Sequence, residues 1–339
     1  MSRHTVYTIA KDLGISPSTV SKVINHKGNF SDELRERVLE HIRSIGYVPA
    51  TSARVLRSRR TWTIGVIYLE ESHIGLEHPF FSGILQSFKD EVEKNGYDLT
   101  FIVKQVGHNK MSYLNWCINK KIDGVLIVVG SHNNPDLIEL VESDIPCIST
   151  DVVREHLHTI ISDNDQGIRL SVEHAIKIGR TNIGMVSGPS TARHFLYRFQ
   201  KLMSVMEEKK LPYRPENMIA AKGFGYKSGY DATKELLTRT THRPDMLLVG
   251  SDMLAFGVIH AIEDMGYKVP GDIAVIGYDD IAFSQMSKPS LSTVRQDIEQ
   301  IGKTAATKLL EMIDLGLKNE TKMTRIPVEL VVRESTTIK

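Results

Sequence analysis

From Trp62 onward, apolar runs of strand length alternate with stretches of helical periodicity, and this alternation restricts the fold more than any other feature of the chain. The runs TIGVIYL, DLTFIV, GVLIVV, IGMVSG, MLLVG and IAVIGYDD are the clearest. Strands that are apolar along their whole length must be covered on both faces. A strand, helix, strand order supplies that cover through crossover helices, so the pattern predicts parallel sheets. No long linker interrupts the pattern, and its length suits two similar lobes. At 339 residues the chain also has room for one small additional domain.

In open parallel sheets, ligands bind beyond the carboxyl ends of the strands, so the residues that follow each run are the ones to inspect. They are Tyr68, the loop HPFF from His78 to Phe81, Asp151 after IPCIST, Arg198, Phe224, Ser251 with Asp252, and Asp279 with Asp280. Carboxylates and an arginine interleaved with aromatic rings suit a sugar-type ligand: charged groups hydrogen-bond the hydroxyls and flat apolar faces cover the ring. Taken singly, each equally fits a capping aspartate or a surface arginine.

The first sixty residues read differently. VYTIAKDLGISPSTVSKVIN, Val6 to Asn25, holds two short helical patterns, with Ile9, Ala10 and Leu13 on one stripe and Val20, Val23 and Ile24 on the next. Thr5 suits the first N-cap, Gly14 the sharp turn, and Ser16 with Pro17 the start of the second helix. This is a helix-turn-helix pattern, and its second helix presents Pro17, Ser18, Ser21, Lys22 and Asn25 outward, side chains suited to base edges and phosphates. A third helix follows, with Ser31 as cap, Asp32 and Glu33 in its first turn, Val38, Leu39, Ile42 and Ile45 as its buried stripe, and Gly46 as its end. Charge agrees with this division. Residues 1–60 carry 11 Lys+Arg against 5 Asp+Glu, leaving 31 against 36 of the chain's 42 and 41 for the remainder. A basic front end on a mildly acidic body is the expected field of a nucleic-acid binder with a separate sensing domain.

Other classes find little support. The 41% hydrophobic and 24% charged fractions are those of an ordinary globular chain, which argues against disorder. No apolar run approaches the roughly 20 residues of a membrane span, and MSRHTVYTIAKDLG has no apolar core or cleavage site of a signal peptide, so a cytoplasmic location is expected. Cys117 and Cys147 lack C-x-x-C spacing and read as buried thiols. There is no P-loop, no G-x-G-x-x-G opening a helix, no G-x-S-x-G elbow and no metal-spaced histidine cluster, and His78 and His194 read as structural or surface residues. Neither an enzyme nor a metal or cofactor site is expected.

The run TVYTIAKDLGISPSTVSKVIN, followed by RERVLEHIRSIGYVPATSARVLRS, resembles the DNA-binding headpiece and hinge of the LacI/GalR family of bacterial repressors. Further along, HPFFSGILQSFKDEVEKNGYDL, DNDQGIRLSVEHAIKIGRTNIGMVSG, RPDMLLVGSDMLAFGVIHAIEDMGYKVPGDIAVIGYDD and VELVVREST follow the same family plan in order. The resemblance implies an all-α helix-turn-helix headpiece plus an α/β, periplasmic-binding-protein-like domain of two parallel-sheet lobes. It places the headpiece at 1–48, a hinge helix or linker at 49–61, and an effector-binding and dimerisation domain at 62–339. The N-lobe is then about 62–162 and 295–323 and the C-lobe about 163–293 and 324–339, with interlobe crossings near 162–164, 292–295 and 322–325.

By the same resemblance, Pro17, Ser18 and Lys22 read bases, while Ser16, Ser21, Asn25, Thr5, Tyr7 and Ser31 contact phosphate or base. The segment from Pro49 to Arg57, with Ala53 and Leu56, enters the minor groove, Leu56 acting as a wedge that bends the DNA. The implied effector contacts are Phe80 or Phe81, Asp151, Arg198, Phe224, Ser251 and Asp279. This chain departs from the family pattern at Lys22, where many members have Arg, at Ser251, in place of a usual Asn, and at Lys201 and Leu202, in place of Gly-aromatic. The implied partners are a pseudopalindromic double-stranded DNA operator, a second copy of the chain, and a small effector, a carbohydrate first, with a purine-like ligand or a protein co-effector as alternatives. The absence of a leucine-rich heptad tail after VRESTTIK makes a dimer the expected assembly.

Overall fold

Thr5 opens the first helix, α1 (Val6–Leu13), with a reciprocal cap in which the Thr8 amide donates to the Thr5 hydroxyl at 3.2 Å and the Thr5 amide to the Thr8 hydroxyl at 2.7 Å. The computed structural model describes residues 4–24, 27–47, 60–68, 75–130, 133–190 and 192–337. Gly14, at φ 66°, takes the left-handed turn that ends α1. Ser16 then accepts the Thr19 amide at 3.1 Å at the head of α2 (Pro17–Ile24), and Ser31 accepts the Leu34 amide at 3.3 Å at the head of α3 (Asp32–Ser44). Each such cap contributes about 1 kcal/mol. The three helices close on Ile9, Ala10, Val20, Val23, Val38 and Ile42, all buried, with Leu13, Ile24, Leu39 and Ile45 partly buried around them. Met1–Thr61 form one compact unit and Trp62–Lys339 a second. Asn25, Ala53, Leu56 and residues 49–59 of the hinge expected over 49–61 lie outside the described residues.

The second unit alternates strand and helix as expected. Its first part runs β1 (Thr63–Tyr68), α4 (Pro79–Lys94), β2 (Asp98–Phe101), a short hairpin of β3 (Gln105–Val106) and β4 (Asn109–Lys110), α5 (Tyr113–Lys120), β5 (Gly124–Val129), α6 (Pro135–Val141), β6 (Cys147–Ser149) and β7 (His158–Ser162). Next come α7 (Asn164–Lys177), β8 (Ile183–Ser187), α8 (Arg193–Glu208), β9 (Met218–Ala220), α9 (Tyr226–Arg239), β10 (Met246–Val249), α10 (Asp252–Asp264), β11 (Ala274–Asp279) and β12 (Ser292–Gln296). The chain ends with α11 (Ile298–Leu315), β13 (Lys322–Ile326) and β14 (Val328–Val331).

Two six-stranded sheets result, ordered β13-β7-β6-β5-β1-β2 and β14-β12-β11-β10-β8-β9. The first is parallel throughout, and the second is parallel except for its edge pair, β12 with β14. An apolar layer covers each face of each sheet. Ile84, Phe88 and Leu309 lie on one side of the first sheet and Trp116, Leu137 and Leu140 on the other. In the second sheet Leu236, Val258 and Ile262 lie on one side and Val172, Leu202 and Val205 on the other. The cysteines are buried thiols: burial raises Cys117 to about 12 and Cys147 further. No described helix is long and apolar enough to cross a membrane.

Two of the three crossings between lobes fall later than expected. Strand β12 continues to Gln296, paired with Val328, and β13 continues to Ile326, paired with Ser162. Each strand completes its ladder within its own sheet before the chain leaves, so the passages follow Gln296 and Ile326, beyond the ranges 292–295 and 322–325 expected from the sequence.

Candidate functional site

Parallel strands deliver their following helices to one edge of a sheet, and here the carboxyl ends of both sheets border a single cavity. The cavity holds about 940 Å³ of free space, part of it open to solvent, which suits a small organic ligand. Helices α4, α7, α8 and α10 all begin at its wall, represented by Phe80 and Phe81, Asn164, Arg193 to Phe195, and Ser251. Their N-terminal amides direct partial positive charge inward.

The deep end is polar and ordered. The buried Arg198 side chain donates from Nε to Asn164 Oδ1 at 2.7 Å and from Nη1 to the Gly250 carbonyl at 2.7 Å, with its guanidinium 3.4 Å from the Tyr278 ring centroid. Gln296 Nε2 donates to Asp279 Oδ1 at 2.6 Å. Asp279 and Asp280 both adopt left-handed backbone, at φ 122° and 56°, a costly pair for residues with a Cβ, and the bend lets two adjacent carboxylates serve different partners. Asp280 pairs with Arg295 at 2.6 Å and Arg333 at 2.7 Å, whereas Asp279 faces the cavity.

Beneath this floor Asp252 is fully buried and accepts from the Thr293 and Ser284 hydroxyls, each at 2.6 Å, and from the Ile281 amide at 3.1 Å. It can lie there because Gly277 has no side chain; a Cβ on Gly277 would collide with Asp252 Oδ1. Burial raises both Asp252 and Asp279 far above the carboxylate range, and for Asp279 the Asp252 charge adds to the effect. The pair therefore retains a proton at neutral pH.

The mouth carries rings and charges. Phe80 and Phe81 meet at 5.1 Å between centroids, and His194 lies 4.2 Å from Phe195. Asp151 reaches His194 Nδ1 at 3.5 Å, and Arg193 donates to the Val153 carbonyl at 2.9 Å, so α8 touches the opposite lobe at two points. Burial, then the neighbouring His194, lowers His78 to about 4, which leaves it neutral.

Of the residues singled out in the sequence, Phe80, Phe81, Asp151, Arg198, Ser251 and Asp279 line this cavity. Phe224 does not. Its ring packs 5.6 Å behind Phe195, which holds the wall position in its place. Sequence reading missed Asn164, Gln296, Arg193 and Arg325, and it set aside His78 and His194 as structural or surface residues although both line the wall. Asn164 and Gln296 sit where the chain changes lobe, a position visible only once strand ends are known.

In the first unit Thr5, Tyr7, Ser16, Pro17, Ser18, Lys22 and Ser31 are exposed and Ser21 is half-buried. The Tyr7 ring is 75% exposed. At the head of α2 the Ser16 hydroxyl lies 3.0 Å from that of Ser18 and 2.9 Å from that of Thr19.

A helix-turn-helix unit carried on one chain with a two-lobed α/β binding domain defines a ligand-responsive class of DNA-binding regulator. Comparison with known proteins names the family. Residues 5–50 match the model for bacterial regulatory proteins of the lacI family, and residues 172–336 match the periplasmic binding protein-like domain. The HTH-type transcriptional repressor PurR of Haemophilus influenzae is 30% identical over 338 residues, which span 98% of each chain. The Lac repressor dimer bound to operator and the anti-inducer ONPF superposes with a TM-score of 0.86 at 24% identity, covering 99% of this chain and 100% of that one. The transcriptional regulator CelR in complex with cellobiose superposes at 0.72 with 26% identity, covering 98% and 100%. The chain belongs to the lacI family: it is a DNA-binding transcription regulator and not an enzyme.

Proposed function

We propose that this protein is a cytoplasmic, homodimeric repressor whose affinity for a pseudopalindromic double-stranded operator is set by a carbohydrate-type effector in the interlobe cavity. The observation that carries this reading is the cavity floor. Arg198, Asn164, Gln296, Asp279 and Ser251 offer both donors and acceptors at fixed positions, opposite the rings of Phe80 and Phe81. Ring hydroxyls need such a set, and the apolar face of a sugar needs the rings. The likeness to CelR, whose solved complex holds cellobiose, supports the same ligand class.

In this reading Pro17, Ser18 and Lys22 face base edges, and Thr5, Tyr7, Ser16, Ser21 and Ser31 position the helix on the backbone. Lys22 supplies a point charge and not a two-pronged guanine contact, so its operator differs from those read by members with arginine there. An effector that touches both lobes binds one lobe arrangement better than the other. Its differential affinity is then the free energy available to change DNA binding.

A second reading, a planar nitrogen heterocycle, draws on the density of rings around the mouth: Phe80, Phe81, His194, Phe195 and Tyr197. Thermal unfolding of the purified protein across sugars, sugar phosphates and nucleobases separates the two. A ligand at a hundredfold excess over its Kd stabilises the native state by about 2.7 kcal/mol, so its class is identified by the compounds that raise the midpoint. Absence of any shift, with Asp151→Ala and Arg198→Ala leaving operator regulation intact, would remove the cavity from the account.

A further inference from the structure

Charge around the cavity narrows the ligand further, on the reading above that this cavity is the effector site. Three guanidiniums line it, and they are not equally matched. Arg325 is held by Asp165 at 3.0 Å with Asp163 at 3.9 Å. Arg193 gives one N–H to the Val153 carbonyl and has no carboxylate partner among the described residues. Arg198 donates to neutral acceptors, Asn164 and the Gly250 carbonyl, and although its charge acts on Asp279 it makes no ion pair within 4.0 Å among the described residues. On the acidic side Asp151 lies 3.5 Å from His194 Nδ1, and burial favours the neutral form of Asp279.

Two further features point the same way. Helices α4 and α8 both start at the cavity wall, and their cap positions, His78 and Ala192, make no side-chain cap; Pro79 has no N–H and the Phe195 amide donates to the Ala192 carbonyl at 3.1 Å, which leaves the Phe80, Arg193 and His194 amides without a partner among the described residues. His78 is 6% exposed and lines the cavity, yet its Nδ1 has no hydrogen-bond partner. A neutral ligand would close the lobes over Arg193 without meeting its charge, whereas an anion meets the guanidinium and the α8 amides together.

We infer that the effector carries an anionic group, a carboxylate or a phosphate, seated against Arg193 at the start of α8, with its hydroxylated portion on the Arg198, Asn164 and Asp279 floor. The seat is formed by the Arg193-His194-Phe195 run at the cavity wall.

The test is calorimetric titration of the full chain at pH 7.5 with matched triplets. Each triplet holds a neutral aldose, its uronate and its terminal phosphate, such as D-glucose, D-glucuronate and D-glucose 6-phosphate, across several hexose series. The expected result is that one anionic member binds at least tenfold more tightly than its neutral parent. Whether that member is the uronate or the phosphate decides the source of the charge. Arg193→Ala, an exposed position whose unliganded unfolding midpoint checks the fold, brings the ratio to near one, and Arg193→Lys, which keeps the charge, preserves a preference. If a neutral sugar binds as tightly as its acid and phosphate, or if the ratio survives Arg193→Ala, the inference is overturned while the cavity reading stands. If no member of any triplet binds, both fall.

Discussion

The two units of this chain bury different things. The helix-turn-helix unit closes on a purely apolar centre of Ile9, Ala10, Val20, Val23, Val38 and Ile42, and keeps its polar chemistry on the outside, at Thr5, Tyr7, Ser16, Ser18 and Lys22. The two-lobed unit buries Arg198, Asn164, Asp252, Asp279 and Gln296 inside or beneath its cavity, each with partners from distant segments. A surface that meets a large rigid polymer needs only a folded platform and exposed donors. A site that surrounds a small ligand must desolvate its own polar groups beforehand, and it stores that cost in buried groups such as Asp252 and Asp279.

The contrast can be broken most severely at Val20, which is fully buried. Val20→Asp sets an unpaired carboxylate in a core that supplies only about 3–5 kcal/mol of stability in total. Operator binding is expected to vanish in fluorescence anisotropy, while the thermal transition of the lobes and their ligand binding stay unchanged. Arg198→Ala reverses the pattern. It strands Asn164 Oδ1 and the Gly250 carbonyl and uncovers Tyr278, so effector affinity falls about 100-fold, roughly 3 kcal/mol, in calorimetric titration, and unliganded operator binding is retained.

A smaller effect is tied to pH. Burial, and for Asp279 the neighbouring Asp252 charge, raises this buried pair well above the unperturbed carboxylate value of 3.8, so over the range above that value the folded chain binds protons that the unfolded chain releases. Stability therefore falls as pH rises across that window, by up to about 1.4 kcal/mol per unit. Asp279→Asn is expected to reduce the slope measured by denaturant titration from pH 5 to 8, with the buried Asp252 supplying what remains. His78 acts at the opposite end: its depressed value costs stability as pH falls from 6.5 towards about 4. The smallest perturbation is Thr5→Ala, which removes the reciprocal cap of α1 and is expected to cost about 1 kcal/mol, confined to the melting of the first unit.

These same particulars explain what could be read from the residues beforehand. Long, wholly apolar strands such as β1, β5 and β11 and the caps Thr5, Ser16 and Ser31 carry their structural reason locally, and the lobes, sheets and headpiece were legible from them. Short strands rich in polar residues, such as β12 and β13, show no such run, so the last two crossings were placed early. In the cavity, Asp151, Arg198, Ser251 and Asp279 were visible as polar residues at strand ends or on a family pattern. Asn164 and Gln296 were not, because their role depends on the positions of lobe crossings. Phe224 was placed on the wall because no linear pattern reveals that Phe195 stands in front of it.

The central claim is that occupancy of the interlobe cavity sets DNA affinity. It is tested most directly by selecting an operator from a random duplex library, then measuring its binding to the full chain by anisotropy with and without the compound that most raises the unfolding midpoint. The account predicts at least a tenfold change in Kd for the wild-type chain and none for Arg198→Ala at the same compound concentration. Unchanged operator affinity in a wild-type chain shown by calorimetry to be saturated with the compound would contradict it.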